Sequence, residues 1–287
     1  MVRPWAAARA RTLARLKTNA LGCAAALAFC VVAAASAGAQ YPAKSEKQAA
    51  PTPARLPDGN PNWTGFWTPV GGILDRDFGP GFKPRAPGAP NPARAPAASR
   101  ELLKSPYKEK YEQIQKDTAD GKVTYDDAAL CLPPGMPRMM GATYGLEILQ
   151  TPGQVTMTSE YQAESRRIWL DGRKHPRDED ALPTYAGHSI GHWEGDVLVV
   201  DTVQTRGDLV IDATRLPQSL SMHLTERFSA PQPGILQDDI TVDDPIVYEK
   251  PWTMTKRYRY RPDLNLEEYV CEDNNRNVSP TGAPSFK

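Results

Sequence analysis

The stretch His188-Ser189-Ile190-Gly191-His192-Trp193-Glu194-Gly195-Asp196-Val197-Leu198-Val199-Val200-Asp201-Thr202 decides the fold class. Two apolar runs, Ile190–Trp193 and Val197–Thr202, meet at a short glycine-containing tip, the signal of a tight β-hairpin. With Glu194-Gly195 as the two-residue loop, Trp193 opposes Asp196, His192 opposes Val197, Ile190 opposes Val199 and His188 opposes Asp201. Opposed residues project to one face of a sheet. One face then carries His188, Ile190, His192, Val197, Val199 and Asp201, and the other carries Trp193, Leu198 and Val200.

The same grammar extends to both sides. Glu147–Gln150 and Val155–Glu160 flank Thr151-Pro152-Gly153-Gln154, where Pro-Gly suits a type II turn. Arg166–Leu170 ends at Asp171-Gly172, and Met222–Phe228, Ile235–Val242, Met254–Arg261 and Leu266–Cys271 follow the hairpin. About eight short strands with no helix between them predict a mainly β domain over 141–273. Its expected form is an antiparallel, eight-stranded meander barrel. Such a barrel is filled by side chains or holds one small ligand.

Upstream the grammar changes. Residues 1–39 carry Arg3, Arg9, Arg11, Arg15 and Lys17, then an apolar stretch from Ala20 to about Ala35, then Ala37-Gly38-Ala39. This is the pattern of a secretory signal peptide cleaved before Gln40. No stable membrane span is expected after cleavage, and the expected location is periplasmic or secreted. The segment 40–98 is Pro-rich and expected to be extended, with one apolar island at Trp63–Val70 that reads as a short strand. Ser99–Ala119 reads as the one helix, because Leu102, Leu103, Tyr107, Tyr111 and Ile114 recur near helical spacing. The region 99–140 thus holds a helix and a loop around Cys131, and 274–287 is a tail.

Composition narrows the class further. The 287 residues hold 34 Lys+Arg against 34 Asp+Glu. Without the five cations of the leader, 29 Lys+Arg face 34 acids, a net charge of −5. With no basic surplus to neutralise phosphates, nucleic acid is not an expected partner. Cleavage also removes Cys23 and Cys30. The remaining Cys131 and Cys271 read as one disulfide in an oxidising compartment. It would close a loop of about 140 residues, worth about 4–5 kcal/mol as an upper estimate from loop-closure entropy.

Gly65-Phe66-Trp67 resembles the Gly-x-Trp signature that opens lipocalin and other calycin barrels, and Trp193-Glu194-Gly195-Asp196 is similar to the Trp-acid-Gly hairpins of small lipid-binding barrels. The run Trp193–Thr202 also resembles a block from a group of exported bacterial proteins of unassigned function. The calycin resemblance covers about half the chain and implies a lipocalin-like cup around a small, largely apolar ligand. The Pro-rich and helical stretch after Gly65-Phe66-Trp67 departs from a compact lipocalin.

Chemistry is sought among four histidines and the carboxylates near them. A His188–Asp201 pair beside aliphatic side chains would orient the imidazole and raise its pKa for proton transfer, with His192 on the same face. Glu226 alternates with Met222, Leu224 and Phe228, so it falls on an apolar face. There it reads either as a general acid or base or as the partner of an interior cation such as Arg166. Arg166, His223, Trp169, Trp193 and Tyr258 are the candidate substrate contacts. No metal ligand spacing stands out, since four strand residues separate His188 from His192 by about 13 Å. No cofactor motif, nucleophile elbow or P-loop occurs. The reading is an exported barrel for a small, partly apolar molecule, with acid–base isomerase, lyase or hydratase chemistry open. The alternatives are a non-catalytic carrier, or an envelope scaffold tethered by its Pro-rich segment.

Overall fold

Alternating burial along consecutive strands closes the sheet on itself. The computed structural model describes residues 55–71, 94–122 and 130–271, all within the unit Gln48–Lys287. The expected signal peptide, most of the Pro-rich segment and the tail lie outside the described residues. Among those described, nine strands form a closed barrel in sequence order. They are β1 (Gly65–Pro69), β2 (Leu146–Thr151), β3 (Gln154–Ser159), β4 (Ser165–Trp169), β5 (His188–Glu194), β6 (Val197–Val203), β7 (His223–Gln232), β8 (Ile235–Asp243) and β9 (Trp252–Tyr260).

The strand count corrects the expectation of eight in a specific way. The island at Trp63–Val70 supplies β1, which pairs with β2 on one side and β9 on the other and so closes the ring. Leu266–Cys271 is not a strand, because β1 already occupies the edge of β9 that it would need. Closure removes the open edges that a flat sheet of this length would expose.

Every neighbouring pair is antiparallel except β4 and β5, which run parallel through Ile168↔Ser189 and Trp169↔Ile190. A parallel pair needs a crossover, and residues 170–187 provide it along the outside of the wall. Thr184 bridges to Thr205, and the Gln204 side-chain amide donates to the Pro176 carbonyl at 3.0 Å. Gly187 ends the crossover with φ +68°, and a Cβ there would sit 2.6 Å from the Val203 carbonyl oxygen. Only glycine enters β5 at that angle without displacing β6.

The two mouths differ. At the lower mouth Pro152-Gly153, Gly195-Asp196 and Pro233-Gly234 make tight two-residue turns. At the upper mouth the longer connections gather: residues 160–164, 204–222 and 244–251, with the segment 130–145 that leads into β2. The expected single helix is two pieces, a 3-10 turn at Ala97–Leu102 and helix α1 at Tyr107–Ala119. Pro106 explains the break, since the residue before a proline is driven out of helical geometry. Leu103 instead bridges to Tyr248. Cys131 and Cys271 form the expected disulfide, joining the entry to the barrel and the chain after β9 across 140 residues.

The hairpin turns at Gly195-Asp196 rather than at Glu194-Gly195. Gly195 has φ +61°, and a glycine with positive φ in the first central position is the requirement of a type II′ turn. The register is therefore His188↔Val203, Ile190↔Asp201, His192↔Val199 and Trp193↔Leu198. A one-residue displacement of the turn changes each pairing by two residues, so the composition of the two faces survives.

Candidate functional site

The face with His188, His192 and Asp201 is the outer one. Leu198, Val200 and Thr202 are fully buried and point inward, where Leu198 pairs with Phe228, Val200 with Glu226 and Thr202 with Leu224. Burying Leu198, Val200, Leu224 and Phe228 outweighs any preference for the imidazoles, at about 1.5–3 kcal/mol per large apolar side chain. The expected meeting of His188, Asp201 and Glu226 in one chamber does not occur, because Glu226 points inward and the other two point out.

On that outer face a cluster does assemble, with a member that the hairpin alone could not supply. The crossover lays His175 over β5 and β6, where its Nε2 lies 2.8 Å from Asp201 Oδ1 and its Nδ1 lies 2.8 Å from His188 Nδ1. His223 Nε2 approaches Asp201 Oδ2 at 2.7 Å. A carboxylate only accepts, so both Nε2 atoms carry the proton and donate. Burial, then His175 and Arg173, hold the His188 pKa below the ordinary imidazole value. His192 stands apart, its Nε2 3.3 Å from Glu194 Oε1 in solvent. Trp169 is also outside, beneath the Arg173 guanidinium at 3.7 Å. Among the described residues no three His, Cys, Asp or Glu side chains are arranged to hold a metal ion.

Inside, Arg166 forks onto Glu226 with Nη1–Oε1 at 2.8 Å and Nη2–Oε2 at 2.7 Å, and both side chains are wholly inaccessible. Nη2 also donates to Ser189 Oγ at 3.0 Å and Thr202 Oγ1 at 3.3 Å. Burial works against the guanidinium charge, yet the surrounding acidic groups, Glu226 first, hold its pKa above the ordinary value. This is the interior pairing weighed for Glu226 from the alternation of β7, and it commits both oxygens of that carboxylate. Trp193 also points inward, packed at 5.0 Å on Trp63 at the lower mouth. Tyr258 is buried and its hydroxyl donates to the Met140 carbonyl at 2.5 Å.

Two further interior groups escaped the sequence reading. Asp238 on β8 stands directly opposite Lys256 on β9. Neither Asp238 oxygen has a hydrogen-bond partner among the described residues, and burial, then the Glu226 charge, push its pKa well above the carboxylate range. Lys256 is 6 % exposed, and burial pulls its pKa down to about 8. The signal was available: Lys256 alternates with Met254 and Tyr258 on the apolar face of β9, as Glu226 does on β7. Arg257 and Arg259 alternate with them on the opposite, outer face.

Lys256 lines a cavity of about 180 Å³ at the upper mouth. Its walls come from the segment before β2 (Gly141–Tyr144), from Tyr161 after β3, from Ile211–Ala213 after β6 and from Met254. Tyr144 and Tyr161 stack at 5.1 Å with planes 3° apart. Asp212 also lines it, but its carboxylate organises the surrounding loops by accepting from the backbone N–H groups of Ala95 and Thr214 at 2.8 Å each. Arg138 adds a second cation to the lining. A second cavity of about 330 Å³ lies at the lower mouth against Trp63, Trp67 and Pro231, where the charged lining groups among the described residues, Arg55 and Asp196, pair with each other at 2.7 Å.

The fold and site together define a closed nine-stranded β-barrel with an ionic interior and a cavity at each mouth, the upper one lined by Lys256. No family model matches the chain, and no curated protein matches it at a significant level.

Proposed function

We propose that this is an exported barrel that holds a small, partly apolar molecule bearing an acidic or carbonyl group in the upper cavity, with Lys256 at its polar end. The carrying observation is a buried lysine on the inner wall beside aromatic and aliphatic lining. Ligand sites combine apolar walls with a few convergent polar groups, and a charged group with a perturbed pKa in a cleft marks a functional candidate. A dry cavity of about 150 Å³ accepts benzene, so a cavity of about 180 Å³ suits a ring-sized body. The Cys131–Cys271 disulfide supports work in an oxidising compartment after removal of residues 1–39.

Holding is favoured over acid–base turnover by His188 and Glu226, which stand on opposite sides of the wall. The test is calorimetric titration of the mature protein with benzoate. Binding is expected, weakened at least about tenfold by Lys256→Met and abolished by Ala142→Leu, which fills the cavity. Benzoate affinity indifferent to both substitutions, in variants that keep the wild-type Tm, would sink this reading.

A further inference from the structure

We infer that the lower mouth is a second binding site, for a neutral, flat aromatic molecule that carries one hydrogen-bonding group. The site goes beyond the holding function of the upper cavity and does not depend on it. At about 330 Å³ the lower cavity is the larger of the two, and it falls within the range of ligand pockets, about 300–1,000 Å³. Trp63 and Trp67 stand against it, and Pro61, Pro231, Pro233 and Ile235 extend the apolar lining.

The aromatic wall is held in place by the barrel itself. Trp67 Nε1–H donates to the Trp63 carbonyl at 2.8 Å. The Gln150 side chain of β2 grips the same segment twice, accepting from the Trp63 N–H and donating to the Pro61 carbonyl at 3.1 Å. Trp63 is also wedged against Trp193 and Phe228, with ring centroids 5.0 and 6.4 Å away. Rings fixed in this way do not fold into the cavity, and a guest has little ordering of the wall to bring about. They present flat surfaces and edges that suit the offset or edge-on packing of another aromatic ring.

The polar rim decides the chemistry of the guest. Arg55 Nη1 and Nη2 fork onto Asp196 Oδ1 and Oδ2 at 2.7 and 2.9 Å, and Nη1 also donates to the Gly59 carbonyl at 2.8 Å. The two charges of the described lining thus answer each other, and a rim of zero net charge does not offset the desolvation of an ionic guest. The neutral polar side chains of the lining are the amides of Asn62 and Gln232. Asn62 Oδ1 accepts from the Thr64 N–H at 3.0 Å, so Asn62 meets a guest as a donor through Nδ2. Two amides match one hydroxyl, carbonyl or ring N–H, whereas the many hydroxyls of a sugar would go unpaired against tryptophan and proline.

The experiment titrates the mature protein with indole in the presence of saturating benzoate, read by calorimetry and by NMR of the tryptophan ring N–H signals. One indole per chain is expected, with a Kd of about 1 mM or tighter. The Trp63 and Trp67 signals should move, while those of Trp169 on the outer wall and Trp252 at the upper end of β9 stay in place. Indole-3-acetamide should bind at least about tenfold more tightly than the equally sized anion indole-3-acetate. Ala230→Phe, which fills the lower cavity from its rim, should weaken indole at least about tenfold, and Ala142→Leu in the upper cavity should leave it unchanged. Indole that binds only when benzoate is left out, shifts confined to Trp252, or tighter binding of the anion overturns the inference. So does the absence of heat and of shifts up to the solubility limit of indole. The shifts and the comparison of the two acetyl derivatives are read on the wild-type chain and so do not depend on either variant folding.

Discussion

The barrel wall carries an ionic cluster on each side, built on different physics. Inside, Glu226 and Arg166 are joined by two hydrogen bonds with no access to water. Outside, Asp201 receives His175 and His223 while its own side chain remains 40 % exposed and that of His223 43 %. The inner pair gains strong attraction in a low dielectric and has a large desolvation cost to offset, whereas the outer one is screened. An interior ion pair is thus a structural commitment, and an exterior one can be rearranged at little cost.

The sharpest way to break this comparison is to remove one inner charge. Glu226→Gln takes from the buried Arg166 guanidinium the carboxylate it is hydrogen-bonded to, and a loss of about 3–5 kcal/mol is expected in urea unfolding. Replacing the pair together, as Arg166→Met with Glu226→Leu, should recover most of that loss. If the single substitution costs no more than a change on the outer face, the two clusters are energetically alike and the contrast disappears.

Glu164 refines the comparison, because it is a buried rim carboxylate with one hydrogen bond, from the Gly135 N–H at 2.9 Å, and no partner for Oε1 among the described residues. Burial raises its pKa to about 7 from an ordinary 4.5. The folded state therefore holds the proton more tightly. This contribution is fully present below about pH 4.5 and is lost as pH rises to about 7, by on the order of 3 kcal/mol. Glu164→Gln should remove that slope from urea midpoints measured between pH 4.5 and 7.5. His188 has the opposite sign: its lowered pKa gives a contribution present above about pH 6.5 and lost as pH falls. The Glu164 effect is therefore read as the difference between variant and wild type.

The smallest effect belongs to the outer cluster. Asp201→Asn should cost less than about 1 kcal/mol, since the groups are partly exposed and screened. Imidazole NMR signals should report it more clearly than stability, with His175 and His223 shifting and His192 unchanged. A cost comparable to that of Glu226→Gln would mean that His175 anchors the crossover, and that the outer cluster is as structural as the inner one.

Much of this architecture was legible from local pattern. Two-residue turns at Pro152-Gly153 and near Gly195, period-two alternation and two cysteines 140 residues apart announced a stapled antiparallel barrel. Alternation also grouped Glu226 with Leu224 and Phe228, and Arg166 with Ile168. The turn at Gly195-Asp196 was misplaced by one residue because acid–Gly and Gly–acid tips both accept a tight turn. The face grouping survived, since side chains alternate with period two.

Sequence by itself determined which residues share a side of each strand, because that depends only on the backbone repeat. It did not say which side would be inside: that followed from all nine strands pooling their apolar faces, which sent His188 and Asp201 out and drew Glu226, Asp238 and Lys256 in. Only the parallel crossover brought His175 to Asp201, and only ring closure by β1 gave the upper mouth its enclosed lysine. Such contacts join residues far apart in the chain, and no local periodicity encodes them.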